Sequence, residues 1–89
     1  MKKIILDFSQ SSSKEGMHRY LAEKFSFPSY YGANLDALHD LLTEIAEPTC
    51  VGVFNYDRKY LKSVVGVLKD SEIENPNLTV IFSKLEDNG

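Results

Sequence analysis

The sequence predicts an α/β domain: a small three-stranded parallel sheet packed with three to four helices. Three short apolar runs read as strands, at residues 4–8, 49–54 and 78–82. The segments between them carry helical periodicity, and strands joined by helical crossovers favour a parallel sheet with helices packed on it. No repeat, low-complexity tract or linker interrupts the chain, so residues 1–89 are expected to form one domain.

Each element has a local reason. Ile4 to Phe8 is short, β-branched and apolar. Ser9 to Ser13 is a polar loop in which Ser12 and Glu15 have capping-box spacing. A helix should follow, with Met17, Tyr20, Leu21 and Phe25 at three- to four-residue intervals. The stretch Ser26-Phe27-Pro28-Ser29-Tyr30-Tyr31-Gly32 breaks it, because Pro28 restricts Phe27 and Gly32 punctuates a turn. Asn34 is a helix cap for a segment running to about Ala46, before Pro48. After the Thr49–Phe54 strand, Asp57 is a candidate cap for a helix carrying Leu61, Val64, Val65 and Leu68. Asn75-Pro76-Asn77 is a turn before the last strand, and Glu86-Asp87-Asn88-Gly89 is a polar tail expected to fray. Phe25, Leu35, Leu38, Val53, Leu61, Val65, Leu68, Val80 and Phe82 are assigned to the core.

A chain of 89 residues with 43% hydrophobic content can fill one modest core. Cys50 is the only cysteine, so no intrachain disulfide forms, which suits a reducing compartment. The N-terminal apolar run, Ile4-Ile5-Leu6, stops at Asp7, far short of a signal peptide's apolar region. No stretch approaches the roughly 20 apolar residues of a membrane helix. A cytoplasmic protein, monomeric when free, is the expectation.

The formal net charge is −3, but its placement says more. From Phe25 to Asp57 there is no Lys or Arg, while Asp36, Asp40, Glu44, Glu47 and Asp57 all fall there. An acid-only patch repels nucleic acid and attracts a basic protein surface or a cation. At about 100° per residue, Leu35, Leu38, Leu41, Leu42 and Ile45 share one arc of the central helix. Asp36, Asp40, Thr43, Glu44 and Glu47 share the opposite one, with His39 on the border. A solvated helix face would explain this pattern, but two details argue against it. Asp36, Asp40 and Glu44 repeat at i, i+4, i+8, and each such like-charge pair costs roughly 0.2–0.5 kcal/mol. Glu44 and Glu47 also lie where the helix dipole disfavours anions. Such repulsion is expected where a partner supplies the positive charge. Tyr30 would border this face as an amphipathic contact residue, while Tyr31 would pack inward.

The stretch from Phe27 to Thr43 resembles the signature of the barstar family: Pro28, Tyr30-Tyr31-Gly32, Asn34-Leu35-Asp36-Ala37-Leu38, one variable position, then Asp40 and an apolar residue. The order of elements extends the resemblance more weakly over residues 1–83. It implies an intracellular inhibitor of a basic, secreted barnase-like ribonuclease, with no catalysis, cofactor or metal of its own. In such a protein an acidic helix and its preceding loop take the place of RNA phosphate in the enzyme's active site. Carried over by position, Asp40 is the central carboxylate, Asp36 the second, Tyr30 the aromatic loop contact and Thr43 a rim contact. Asp70 falls near a peripheral family glutamate. The partner-binding set is therefore Tyr30, Asn34, Asp36, His39, Asp40, Thr43, Glu44 and Asp70. His39, Glu44 and Ile45 depart from the best-known member, which has Trp, Gly and Trp at those positions. The alternative is the same frame binding a different basic protein, a non-ribonuclease toxin or a regulator. His39 beside the acidic patch would make binding depend on pH near neutrality.

A metal or hydrolytic site is the competing chemistry, since Asp36, His39 and Asp40 are ligand types in close spacing. No further ligand lies nearby in sequence, and there is no glycine-rich phosphate loop, nucleophile motif or CxxC.

Overall fold

The computed structural model describes residues 1–83. The Glu86–Gly89 tail lies outside them. Three strands form one parallel sheet: β1 (Lys2–Asp7), β2 (Thr49–Phe54) and β3 (Leu78–Ser83), with β2 in the centre. Three helices connect them: α1 (Lys14–Phe25) and α2 (Leu35–Thr43) between β1 and β2, and α3 (Lys62–Glu74) between β2 and β3. Short 3-10 turns at Phe8–Gln10 and Lys59–Leu61 complete the described elements. This is the architecture expected from the sequence.

The register explains the core. Ile4, Val51 and Val80 align across the sheet, as do Leu6, Val53 and Phe82. Alternation puts these residues on one face with Thr49 and Leu78, and all of them are buried except Phe82, which is half-buried. α1 lies against β1, α3 against β3, and α2 against α3. Their apolar stripes supply Met17, Leu21, Leu38, Leu42, Val64 and Leu68, and the turn before α3 adds Leu61, all buried.

Of the expected core, Phe25, Leu38, Val53, Leu61, Leu68 and Val80 are buried, and Leu35 and Phe82 are half-buried against the cluster. Val65 is only half-buried and lies outside the cluster, because the helix turns Val64 inward instead. Phe8 leaves the strand for the 3-10 turn but stays fully buried, and β1 begins two residues earlier than expected.

The caps also differ in detail. Ser13, not Ser12, caps α1, its Oγ accepting from the Gly16 amide at 3.1 Å. That register puts Gly16 where a capping box needs Glu, so Glu15 acts only through its charge in the first turn. Asp57 caps nothing. The Lys59–Leu61 turn leads straight into α3, with the Leu61 amide bonded to the Arg58 carbonyl at 3.0 Å and no side-chain cap.

α2 ends at Thr43, three residues short of the expected Ala46. Helix C-termini leave carbonyls without intrahelical donors. Here Asn75, only 4% exposed, donates its amide to the carbonyls of Leu42 (2.9 Å) and Ile45 (3.0 Å). The same residue closes α3 through its N–H to the Ser71 carbonyl, and its Oδ1 accepts from the Asn77 amide at 2.9 Å. Asn75→Ala should therefore destabilise the protein by about 1–3 kcal/mol, since it removes two short bonds to carbonyls that otherwise keep only long ones, from the Ile45 amide and the Asn77 side chain at 3.4 Å each. Urea unfolding measures this; a loss under a few tenths would deny Asn75 the role.

Candidate partner-binding face

The loop before α2 is fixed at both ends. Ser26 takes a left-handed conformation (φ 55°) that closes α1, and Ala33 takes the same conformation just before α2. Between them Phe27 stacks on Phe25, with ring centroids 5.2 Å apart, and Tyr31 lies 4.9 Å from Phe27. The Tyr31 hydroxyl meets Nδ1 of His18 at 2.5 Å. Burial lowers the His18 pKa below its usual value and pushes Tyr31 up to about 12. The pair thus fits a phenol donating to an unprotonated Nδ1. With Tyr31 turned inward, its neighbour Tyr30 stands out at 78% exposure.

Asn34 begins α2. Its Oδ1 accepts from the Ala37 amide at 2.8 Å and its Nδ2 donates to the Gly32 carbonyl at 3.3 Å. Both polar ends of this expected contact residue are thus engaged in capping. From there Leu38 and Leu42 point into the core, while Asp36, Asp40 and Glu44 are exposed. Among the described residues these three carboxylates make no ion pair; the ion pairs are Lys2–Glu47 and His39–Glu74. Asp36 lies in the first turn, where the dipole favours it, and Glu44 at the C-cap, where it does not. The Thr43 hydroxyl lies 2.9 Å from the His39 carbonyl and 3.0 Å from that of Asp40, so its proton is committed to the helix and its lone pairs remain.

His39 is less free than the sequence suggested. Its Nε2 sits 3.0 Å from Oε2 of Glu74, tying α2 to the end of α3. Glu74 was not anticipated. It follows the exposed Asp70 at i+4, one helical turn along α3, but that spacing does not point to His39. Beside Tyr30, a shallow groove of about 450 Å³ runs along Leu41, Glu44 and Ile45 to Phe27 and Ile4. Among the described residues, no three His, Cys, Asp or Glu side chains gather closely enough to hold a metal ion. No described helix is long and apolar enough to cross a membrane. What remains is a line of carboxylates and an exposed aromatic ring on a capped, braced helix.

Comparison with known proteins bears on this face. The family model described as Barstar (barnase inhibitor) matches residues 1–58, which include Tyr30 and all of α2 but not Asp70 or Glu74. A protein of Bacillus subtilis (strain 168) named "Putative ribonuclease inhibitor YrdF" is 51% identical over 43 residues, which are 48% of this chain and 47% of that protein. The chain spans about half the length of this relative.

The buried His18 makes stability depend on pH. Its folded pKa lies below the unfolded value, so the unfolded chain binds the proton first as pH falls. The contribution is complete above the usual value of 6.5 and declines as pH drops from there toward the folded pKa. Melting temperatures between about pH 8 and pH 5 should fall on the acid side, and His18→Gln should remove that part of the slope. An unchanged slope in the variant would place the titration elsewhere.

Proposed function

This chain belongs to the barstar family, and from that premise we propose that it is a cytoplasmic inhibitor of a basic, barnase-like secreted ribonuclease. The acidic line on α2 enters the enzyme's active site, with Asp40 central, Asp36 beside it and Tyr30 covering the flank. The observation that carries this reading is the exposed, unpaired row Asp36, Asp40 and Glu44 next to an exposed Tyr30. Carboxylates held on a helix replace RNA phosphate among the enzyme's cations, so inhibition is steric and electrostatic. Thr43 meets the partner at the rim through its free lone pairs, and Asp70 and Glu74 extend the acidic border along α3. The chain itself contributes no chemistry to bond cleavage.

The acid-only face steers a basic enzyme into encounter, so association should slow as salt rises. A different basic protein is the second reading, favoured by one observation. His39, at a family position that carries Trp in the best-known member, is drawn toward Glu74 rather than left free for a partner.

The test is titration into a guanyl-specific ribonuclease of the barnase class, following RNA cleavage at low and moderate salt. Stoichiometric inhibition is expected. Asp40→Ala should weaken binding by about 2–5 kcal/mol, the general effect of truncating one side of a buried charge pair, for which barnase and its inhibitor are themselves a reference case. The Asp36→Ala/Asp40→Ala double variant should abolish inhibition at equal concentrations. Unimpaired inhibition by that variant would remove α2 from the interface, and no inhibition by the parent would favour the second reading.

A further inference from the structure

All three helices lie on one face of the sheet. The other face carries Lys3, Ile5 and Asp7 from β1, Cys50, Gly52 and Phe54 from β2, and Thr79, Ile81 and Ser83 from β3. No described element covers it: Ile5 and Ile81 are each 52% exposed, and Lys3 and Thr79 are exposed too. Sheets made only of parallel strands almost always have both faces covered.

A Cβ on Gly52 would come within 3.3 Å of Cδ1 of Ile5 and 3.6 Å of Cε2 of Phe54. Ile5 and Phe54 thus close over the central strand, and Ile5, Gly52 and Ile81 stand in register across all three strands. The missing side chain at Gly52 is thus filled by Ile5 and Phe54 of the same sheet, which join Ile81 in an apolar strip across it.

The charges select the occupant. On β1 the outward residues are Lys3, Ile5 and Asp7, a cation and an anion spaced equally about an isoleucine. Hydrogen bonds from Asn55 and Ser9 hold the Asp7 carboxyl below its usual pKa, so it is anionic at neutral pH. A two-fold axis lying in the face, perpendicular to the strands at the level of Ile5, stacks β1 antiparallel on its symmetry mate. Lys3 then meets Asp7 of the second copy at both ends, Ile5 meets Ile5, and Ile81 meets Ile81. A two-fold axis along β2 would instead set Lys3 against Thr79 and leave Asp7 without a cation.

We propose that this open sheet face is a homodimer interface, in which two copies pack face to face about that axis with paired Lys3–Asp7 contacts at the β1 edge. Stacked sheets sit about 10 Å apart, which matches the reach of facing isoleucines. α2 lies in the helical layer on the far side, so the dimer presents two acidic faces outward and does not depend on what they bind. A monomer when free is the expectation from the sequence, and the proposed dimer departs from it.

Sedimentation equilibrium of the full chain tests this between about 1 µM and about 1 mM, the span of weak to moderate association. The parent should shift from monomer to dimer with concentration. Ile5→Lys/Ile81→Lys should stay monomeric over the same span, with an unchanged circular dichroism spectrum as evidence of folding. Lys3→Glu should raise the dissociation constant about tenfold or more, because it places carboxylates against Asp7. A parent that is monomeric throughout, a double variant that still dimerises, or a Lys3→Glu protein that associates like the parent would each overturn the proposal.

Discussion

Much of this structure turns on the buried side chain of Asn75. Its amide supplies the shortest bonds to the carbonyls at the end of α2, and its backbone ends α3 and starts the turn into β3. One residue thereby fixes where the acidic helix stops and how it lies against α3. Without those donors the carbonyls of Leu42 and Ile45 would keep only longer bonds, from the Ile45 amide and the Asn77 side chain, and poorly met polar groups in a half-buried site are unfavourable. The acidic face is therefore held from below by polar bonding as well as by Leu38 and Leu42.

The face itself runs against stability. Three carboxylates in one helical row repel one another, and nothing described on this chain neutralises them. The penalty of each pair is a few tenths of a kcal/mol, small beside the burial of two leucines. The core can thus sustain a surface that is unfavourable for the isolated protein and favourable beside a cation-rich one. The same balance explains Tyr30: with Tyr31 anchored to His18, an exposed ring next to it does not loosen the loop.

Most of this was legible in the sequence, for identifiable reasons. The strands read well because they are short and β-branched, and β2 and its register neighbours follow simple alternation. The acidic row of α2 read well because helical geometry alone places those residues together. What was hidden depends on contacts distant in sequence. Asn75 looked like an ordinary turn residue, and nothing local reveals that it reaches back to Leu42 and Ile45, more than 29 residues away. The same holds for Glu74 and His39. The Ser12–Glu15 and Asp57 caps misled because capping patterns tolerate shifts of one or two residues, and a 3-10 turn can start a helix without any side chain. Val65 misled because neighbouring valines on one helix differ in direction by about 100°.

Ala33 has a consequence of its own. A non-glycine residue in the left-handed region is unfavourable by roughly 1–2 kcal/mol, and here one stands directly between Tyr30-Tyr31-Gly32 and the helix cap. Folding has already absorbed that strain and the ordering of the loop. Encounter with a partner then involves a surface whose shape is settled beforehand, so little conformational entropy is lost on docking. Changes that relax the loop, even far from any contact, would act by unsettling this prior order rather than by deleting interactions.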